Sequence, residues 1–204
     1  MRIHDGNLPF SVTMTKMVCT YTAPTISTEN PTYNGQSKNI LATAGSATGG
    51  TMSDSCRYYK YDTSTWSDWS GWSTIAPTGT NAGVYNVRYK VEPNAGYSGG
   101  VDATEIGNFT INRAAGWCSL SPTGATGYGS SYGGNGVNVN ITHHGGVLSA
   151  SKSGPRAQCI NVSFSGNSMV VSKSYDQGHG TTVTVTSAAT QNYNAASADF
   201  SCNY

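Results

Sequence analysis

Residues 84–91 read Val-Tyr-Asn-Val-Arg-Tyr-Lys-Val. Tyr85, Val87, Tyr89 and Val91 fall on one side of this alternation, and Val84, Asn86, Arg88 and Lys90 on the other. A period of two with one polar face predicts a half-buried antiparallel strand. Turn chemistry precedes it in Pro77-Thr78-Gly79-Thr80-Asn81-Ala82-Gly83, where Pro fixes φ and Gly and Asn tolerate left-handed backbone. The same plan recurs about a hundred residues later, with a turn at 176–180 and a Thr/Val strand at 181–186. Each strand is followed by a loop ending near a tyrosine, 93–97 and then 190–194, and by one more strand, 108–112 and then 198–202. Two copies of one ending predict two β-sandwich modules in tandem.

Weaker alternation fills in the rest. Phe10, Val12 and Met14 alternate ahead of Met17 and Val18, so 10–22 is expected to be extended, either as the first strand of the first module or docked on a neighbouring subunit. In the first module, 38–44 is expected to be a short strand, 44–50 a loop, and 57–61 an aromatic strand with Tyr58 and Tyr59 on opposite faces. In the second, Trp117 to Pro122 reads as an opening edge strand. Val137, Val139 and Ile141 alternate with Asn. Residues 147–151 and 158–164 are further strands, and Ser165-Gly166-Asn167 turns the chain into a strand at 168–172. No helix is supported, and strands spaced about 8 to 12 residues apart indicate an all-β fold. The expected organisation is an N-terminal docking arm over 1–22, one sandwich over 23–112 and another over 113–204. The linker at 112–116 is too short for wide hinge motion.

The length of 204 residues suits two such modules. Charged residues make up only 10% and the formal net charge is +1, so nothing electrostatic favours nucleic acid or an anionic membrane. No apolar run approaches the roughly 20 residues that span a bilayer. Residues 1–10 lack the apolar core of a secretory signal, so the expectation is either that a signal has been removed or that the protein does not use that route. The five cysteines, Cys19, Cys56, Cys118, Cys159 and Cys202, match no zinc spacing. They fit buried thiols, with one disulfide in the second half as the alternative.

The loudest local motif is Trp66-Ser67-Asp68-Trp69-Ser70-Gly71-Trp72-Ser73. A period of three does not suit a flat strand, so the rings are not expected to enter one core together. In one reading Trp66, Trp69 and Trp72 form an exposed surface that binds glycan or a protein partner. In the other, Trp72 enters the core while Trp66 and Trp69 cover the sheet edge. The motif resembles the Trp ladder of thrombospondin type 1 repeats and the WSxWS box of cytokine receptors. Both resemblances imply Trp rings stacked with Arg side chains. Neither extends beyond this stretch.

Other candidates for chemistry are thin. His143 and His144 precede a Gly pair and are expected at a loop tip; with His179 they make no chelating set. Asp54, Asp62, Asp68 and Asp102 lack calcium-loop spacing. No nucleophile elbow, carboxylate pair or phosphate loop is present, and the glycines at 127–136 read as a flexible loop. The chain is therefore expected to be no enzyme and to need no cofactor or metal.

Much of residues 32–83 is similar to a bacterial Ig-like repeat. The similarity rests on Thr32-Tyr33-Asn34-Gly35-Gln36, on 43–52, on Tyr58-Tyr59-Lys60-Tyr61, on Trp72-Ser73-Thr74 and on 77–83, with insertions around 53–57 and 65–71. The last 40 or so residues resemble another branch of the same repeats. Such repeats occur in surface proteins of gut bacteria and in phage virion proteins. The resemblance implies a structural protein of a bacteriophage virion, a capsid decoration or a head or tail fibre component. Its partners would be other virion proteins, docked through Phe10, Val12 and Met14, with weak contact to cell-surface glycans or mucus. No nucleic acid or membrane partner is implied, and a homo-oligomer is allowed. The alternative is a fragment of a bacterial cell-surface adhesin. A carbohydrate-binding module rests on the Trp cluster alone.

Overall fold

A computed structural model of the protein describes residues 12–126, 136–173 and 180–203. Phe10, His179 and most of the expected turn at 176–180 lie outside the described residues, as does nearly all of the 127–136 loop. Among the described residues the chain is all-β, built from several sheets, with one short 3₁₀ turn at Ala157–Cys159. No helix among the described residues is long and apolar enough to cross a membrane.

The N-terminal half is organised on one long antiparallel sheet. Its central strand, Gly83–Pro93, lies between Gly50–Lys60 and Val101–Ile111, and Thr65–Trp66 closes one edge. The expected alternation holds. Tyr85, Val87, Tyr89 and Val91 are 6%, 0%, 5% and 2% exposed, while Asn86, Arg88 and Lys90 share the opposite face. Tyr85, Val87, Phe109 and Ile111 pack with Ile40 and Leu41, and Tyr89 and Val91 pack with Cys19. The layer over this inner face is fragmentary. It consists of two- and three-residue pairs: Thr20–Thr22 with Ser46–Thr48, Thr25–Ile26 with Leu41–Thr43, and Lys38–Asn39 with Thr78–Gly79.

Several expectations change here. The loop placed at 44–50 contains the strand Ser46–Thr48, and the strand placed at 38–44 breaks at Ile40, whose side chain is fully buried. Residues 53–57 are no inserted loop but the middle of the eleven-residue strand Gly50–Lys60. The aromatic pair is as expected. Tyr58 turns inward and stacks on Tyr85 at 5.0 Å, and Tyr59 turns outward against Trp66.

The C-terminal half has two four-stranded sheets. One orders Cys118–Ser121, Val137–His143, Ser168–Lys173 and Ile160–Ser165, which leaves the opening strand at an edge as expected. The other orders Gly124–Thr126, Ala196–Asn203, Thr181–Ser187 and Leu148–Ser153. Leu120, Val139, Ile141, Ile160, Met169 and Val171 from the first sheet meet Val183, Val185, Phe200 and Cys202 from the second in one core. The predicted hairpin is present: Ser165 faces Ser168, and Gly166 supplies the left-handed turn residue at φ 57°.

The halves meet through hydrogen bonds from the loop at 190–194. The Ala82 amide donates to Asn192 Oδ1 at 2.9 Å, and the Asn192 amide donates to Asn81 Oδ1 at 3.1 Å. Gln191 donates to the Ala82 carbonyl and accepts from the Asp62 amide. Ala114 in the linker donates to Asn192 and accepts from Asn194, both at 2.9 Å. Tyr193 meets Tyr33 edge-on at 5.5 Å. The turn that introduces the central strand is thus gripped by the matching loop of the other half.

Candidate functional site

Beyond the short strand Thr65–Trp66, residues 67–73 run on beside Gly50–Lys60 without pleating. The amides of Ser67, Ser70 and Ser73 donate to the carbonyls of Tyr58, Cys56 and Asp54 at 2.8, 2.8 and 2.9 Å. The segment therefore advances three residues for every two of the strand. Two strand residues span about 6.7 Å, so the segment is wound more tightly than a pleated strand. Serine chemistry makes this possible. The strand amides of Tyr58 and Cys56 donate to the hydroxyls of Ser67 and Ser70, both at 2.9 Å, where a pleated neighbour would offer carbonyls. Ser55 Oγ donates back to the Ser70 carbonyl at 2.7 Å.

A period of three in a segment wound this way brings all three indoles to one side, the outer face of the sheet. The Arg57 guanidinium lies 4.9 Å from the Trp66 ring and 4.6 Å from Trp69. Arg88 lies 4.2 Å from Trp69 and 4.8 Å from Trp72, and the Lys90 ammonium is 4.9 Å from Trp72. The order is Trp66, Arg57, Trp69, Arg88, Trp72, Lys90. The spacings agree. An indole plus a guanidinium at van der Waals separation needs about 7 Å per step, close to what two strand residues supply. Each cation–π contact contributes about 0.5–1 kcal/mol when exposed and more when desolvated.

The cations are unequally paired. Arg57 meets Glu105 at 3.5 Å and Lys90 meets Glu92 at 2.5 Å. Glu105 also accepts from Asn86, which in turn donates to Asn108 at 2.8 Å. Arg88 has no ion pair among the described residues, and its Nε is buried without an acceptor. At the Lys90 end the ladder borders a depression of about 470 Å³ lined in part by Trp72, Glu92 and Asp102.

Trp72 is therefore not a core residue. It is half-buried on the outer face between Arg88 and Lys90, because its segment follows the strand's edge rather than crossing into the inner layer. Trp66 is 41% exposed and Trp69 half-buried. What sequence reasoning missed was the identity of the cations. Arg88 and Lys90 were legible as members of a polar strand face, but nothing local said that this face would receive the indoles.

The other candidates are dispersed. Val12 and Met14 are 66% and 87% exposed, and Met17 and Val18 lie parallel against Tyr97–Ser98. Cys19 is the first buried side chain after them. His143 binds Ser187 Oγ and Asn167 Oδ1, and His144 accepts from the Trp117 amide at Nδ1 while its Nε2 faces the Ala188 carbonyl. Both thus tie loops together. No group of three or more His, Cys, Asp or Glu that would hold a metal occurs among the described residues. Asp54 is buried opposite Tyr89, and burial raises its pKa. No disulfide forms among the cysteines. Burial pushes the Cys56 thiol up to about 11, well away from a reactive thiolate.

The chain matches no protein-family model and no curated protein.

Proposed function

We propose that the protein is a non-enzymatic structural component of a bacteriophage particle: two Ig-like sandwich modules in tandem, attached to other virion proteins by the N-terminal arm. The observation that carries this reading is the segment ahead of Cys19. Val12, Met14, Met17 and Val18 all hold their apolar side chains in solvent, and only the last two are fixed to the rest of the chain, as a short parallel strand on Tyr97–Ser98. An extended apolar segment laid along an edge is suited to docking on a neighbouring subunit. The clamp between Asn81–Ala82 and Gln191–Asn192 supports a stiff two-module display unit. The Trp–cation face on the first module gives that unit a surface for weak contact with glycans or proteins.

The test is deletion of residues 1–16. This removes Val12 and Met14 while keeping Met17–Val18 and the buried Cys19. Loss of association with purified particles at an unchanged thermal midpoint is expected. Retained association overturns the docking role. Mass spectrometry of particles should find the chain at a copy number near that of capsid or tail proteins. Recovery in a bacterial envelope fraction instead would favour the adhesin reading.

A further inference from the structure

The junction between the halves contains a cleft of about 310 Å³ lined by Tyr61, Asn112, Arg113 and Asn194. Its four residues come from the N-terminal half, the linker and the C-terminal half, so neither half makes it alone. Among the described residues Arg113 supplies the only formal charge in this lining. Its guanidinium lies 4.9 Å from the Tyr61 ring, its Nε is buried with no acceptor, and it makes no ion pair among the described residues. A guanidinium held against an aromatic ring with donors unused is built to take a planar anion through its remaining N–H groups.

The backbone on both sides of Arg113 is fixed. The Asn112 amide donates to Pro31 and its carbonyl accepts from Tyr33, both at 2.8 Å. Ala114 is held by Asn192 and Asn194. Gly116 packs so closely that a Cβ there would lie 1.9 Å from the Asn194 carbonyl oxygen. The site is therefore held in place before any ligand arrives, which lowers the ordering cost of binding. Asp62, the acid that follows Tyr61 in sequence, accepts a hydrogen bond from the Thr63 amide and does not line the cleft.

The rest of the lining is amide and phenol. Asn112 uses its NH₂ on the Asn30 carbonyl at 3.2 Å, which leaves its Oδ1 as an acceptor. Asn194 brings both a donor and acceptor capacity. One fixed cation, two amides and an aromatic ring in a cleft larger than a bare carboxylate needs match a polyhydroxylated ring that carries an acid group. We propose that the module junction binds a carboxylate-bearing sugar unit, with the carboxylate on Arg113 and hydroxyls on Asn112 and Asn194. This goes beyond the docking role and does not depend on the N-terminal arm or on the Trp ladder.

The experiment is titration of the full chain at low salt with D-glucuronate, D-glucose and acetate, followed by backbone-amide NMR shifts. Glucuronate is expected to bind about tenfold or more tightly than either of the others. The shifts should centre on residues 61, 112–114 and 194. Arg113→Gln, which keeps hydrogen-bonding capacity but not charge, should weaken glucuronate about tenfold at an unchanged thermal midpoint. If that variant loses its fold, the location of the shifts in the unmodified chain decides. Equal binding of glucose, equal binding of acetate, shifts centred on the Trp ladder, or no binding at all overturns the proposal. None of these outcomes affects the arm-deletion test.

Discussion

The two halves solve the same problem in different ways. The C-terminal half closes two four-stranded sheets over one core, and the outer face of the second sheet is small and polar. On the second sheet Thr184 donates to Asp199 at 2.7 Å, and Thr186 meets Ser197 at 2.9 Å. Among the described residues the N-terminal half has one long sheet, and its opposite layer is a patchwork of short pairs. Its heaviest side chains, Trp66, Trp69 and Trp72, lie outside, where Arg57, Arg88 and Lys90 hold them. A strongly built outer face accompanies a weakly built inner layer. Large aromatic residues in a β-protein thus need not mark its core, provided cations on an alternating strand cover their faces.

The sharpest way to break this comparison is to empty each core. Phe200→Ala and Phe109→Ala each remove a side chain no more than 1% exposed. Each should cost about 3–5 kcal/mol in urea unfolding. The second should also perturb fluorescence from the Trp ladder, since Phe109 lies on a strand of the ladder's own sheet, and the first should not.

Removing the middle rung comes next. Trp69→Ala leaves Arg57 and Arg88 each with one ring, and should lower stability by about 1–3 kcal/mol. Ser70→Ala leaves the Cys56 amide without its acceptor and should cost about 1–2 kcal/mol. If both variants are neutral to stability, the ladder is an ornament on the sheet and its surface is free for ligand binding alone.

The smallest effect concerns pH. Burial raises the pKa of Asp54 above its ordinary 3.8. Between that value and the raised one, the unfolded chain has released the proton while the folded chain keeps it. Stability therefore falls as pH rises through this window, and the cost is fully present above it. Asp54→Asn should raise the thermal midpoint at pH 7 by a few degrees and change little at pH 3. A variant gain that is the same at both pH values would mean that packing, not charge burial, sets the effect.

Much of this fold was legible because strands announce themselves locally. Alternation alone put Tyr85, Val87, Tyr89 and Val91 in the core, and Gly166 marked the hairpin at 165–168. The same alternation paired Val137, Val139 and Ile141 with exposed asparagines. The errors fell where local pattern is weakest. Ser46–Thr48 is too short and too polar to show a period, and Gly50–Lys60 carries Ser, Asp and Thr at positions that only strand pairing could assign. The candidate site was half legible. The Trp spacing was plain, but each ring's cations sit 9 to 19 positions away on two other strands.

Sequence by itself determined the strand faces, the turn residues and the three-residue beat of Trp and Ser, because each follows from backbone geometry within a few residues. Tertiary structure alone decided which face received the indoles, since that depends on the register of 65–73 against Gly50–Lys60. It also decided the junction. Tyr61, Arg113 and Asn194 are far apart along the chain and nothing local links them. They share a cleft only because the loop at 190–194 grips the turn at 81–82 and the linker between.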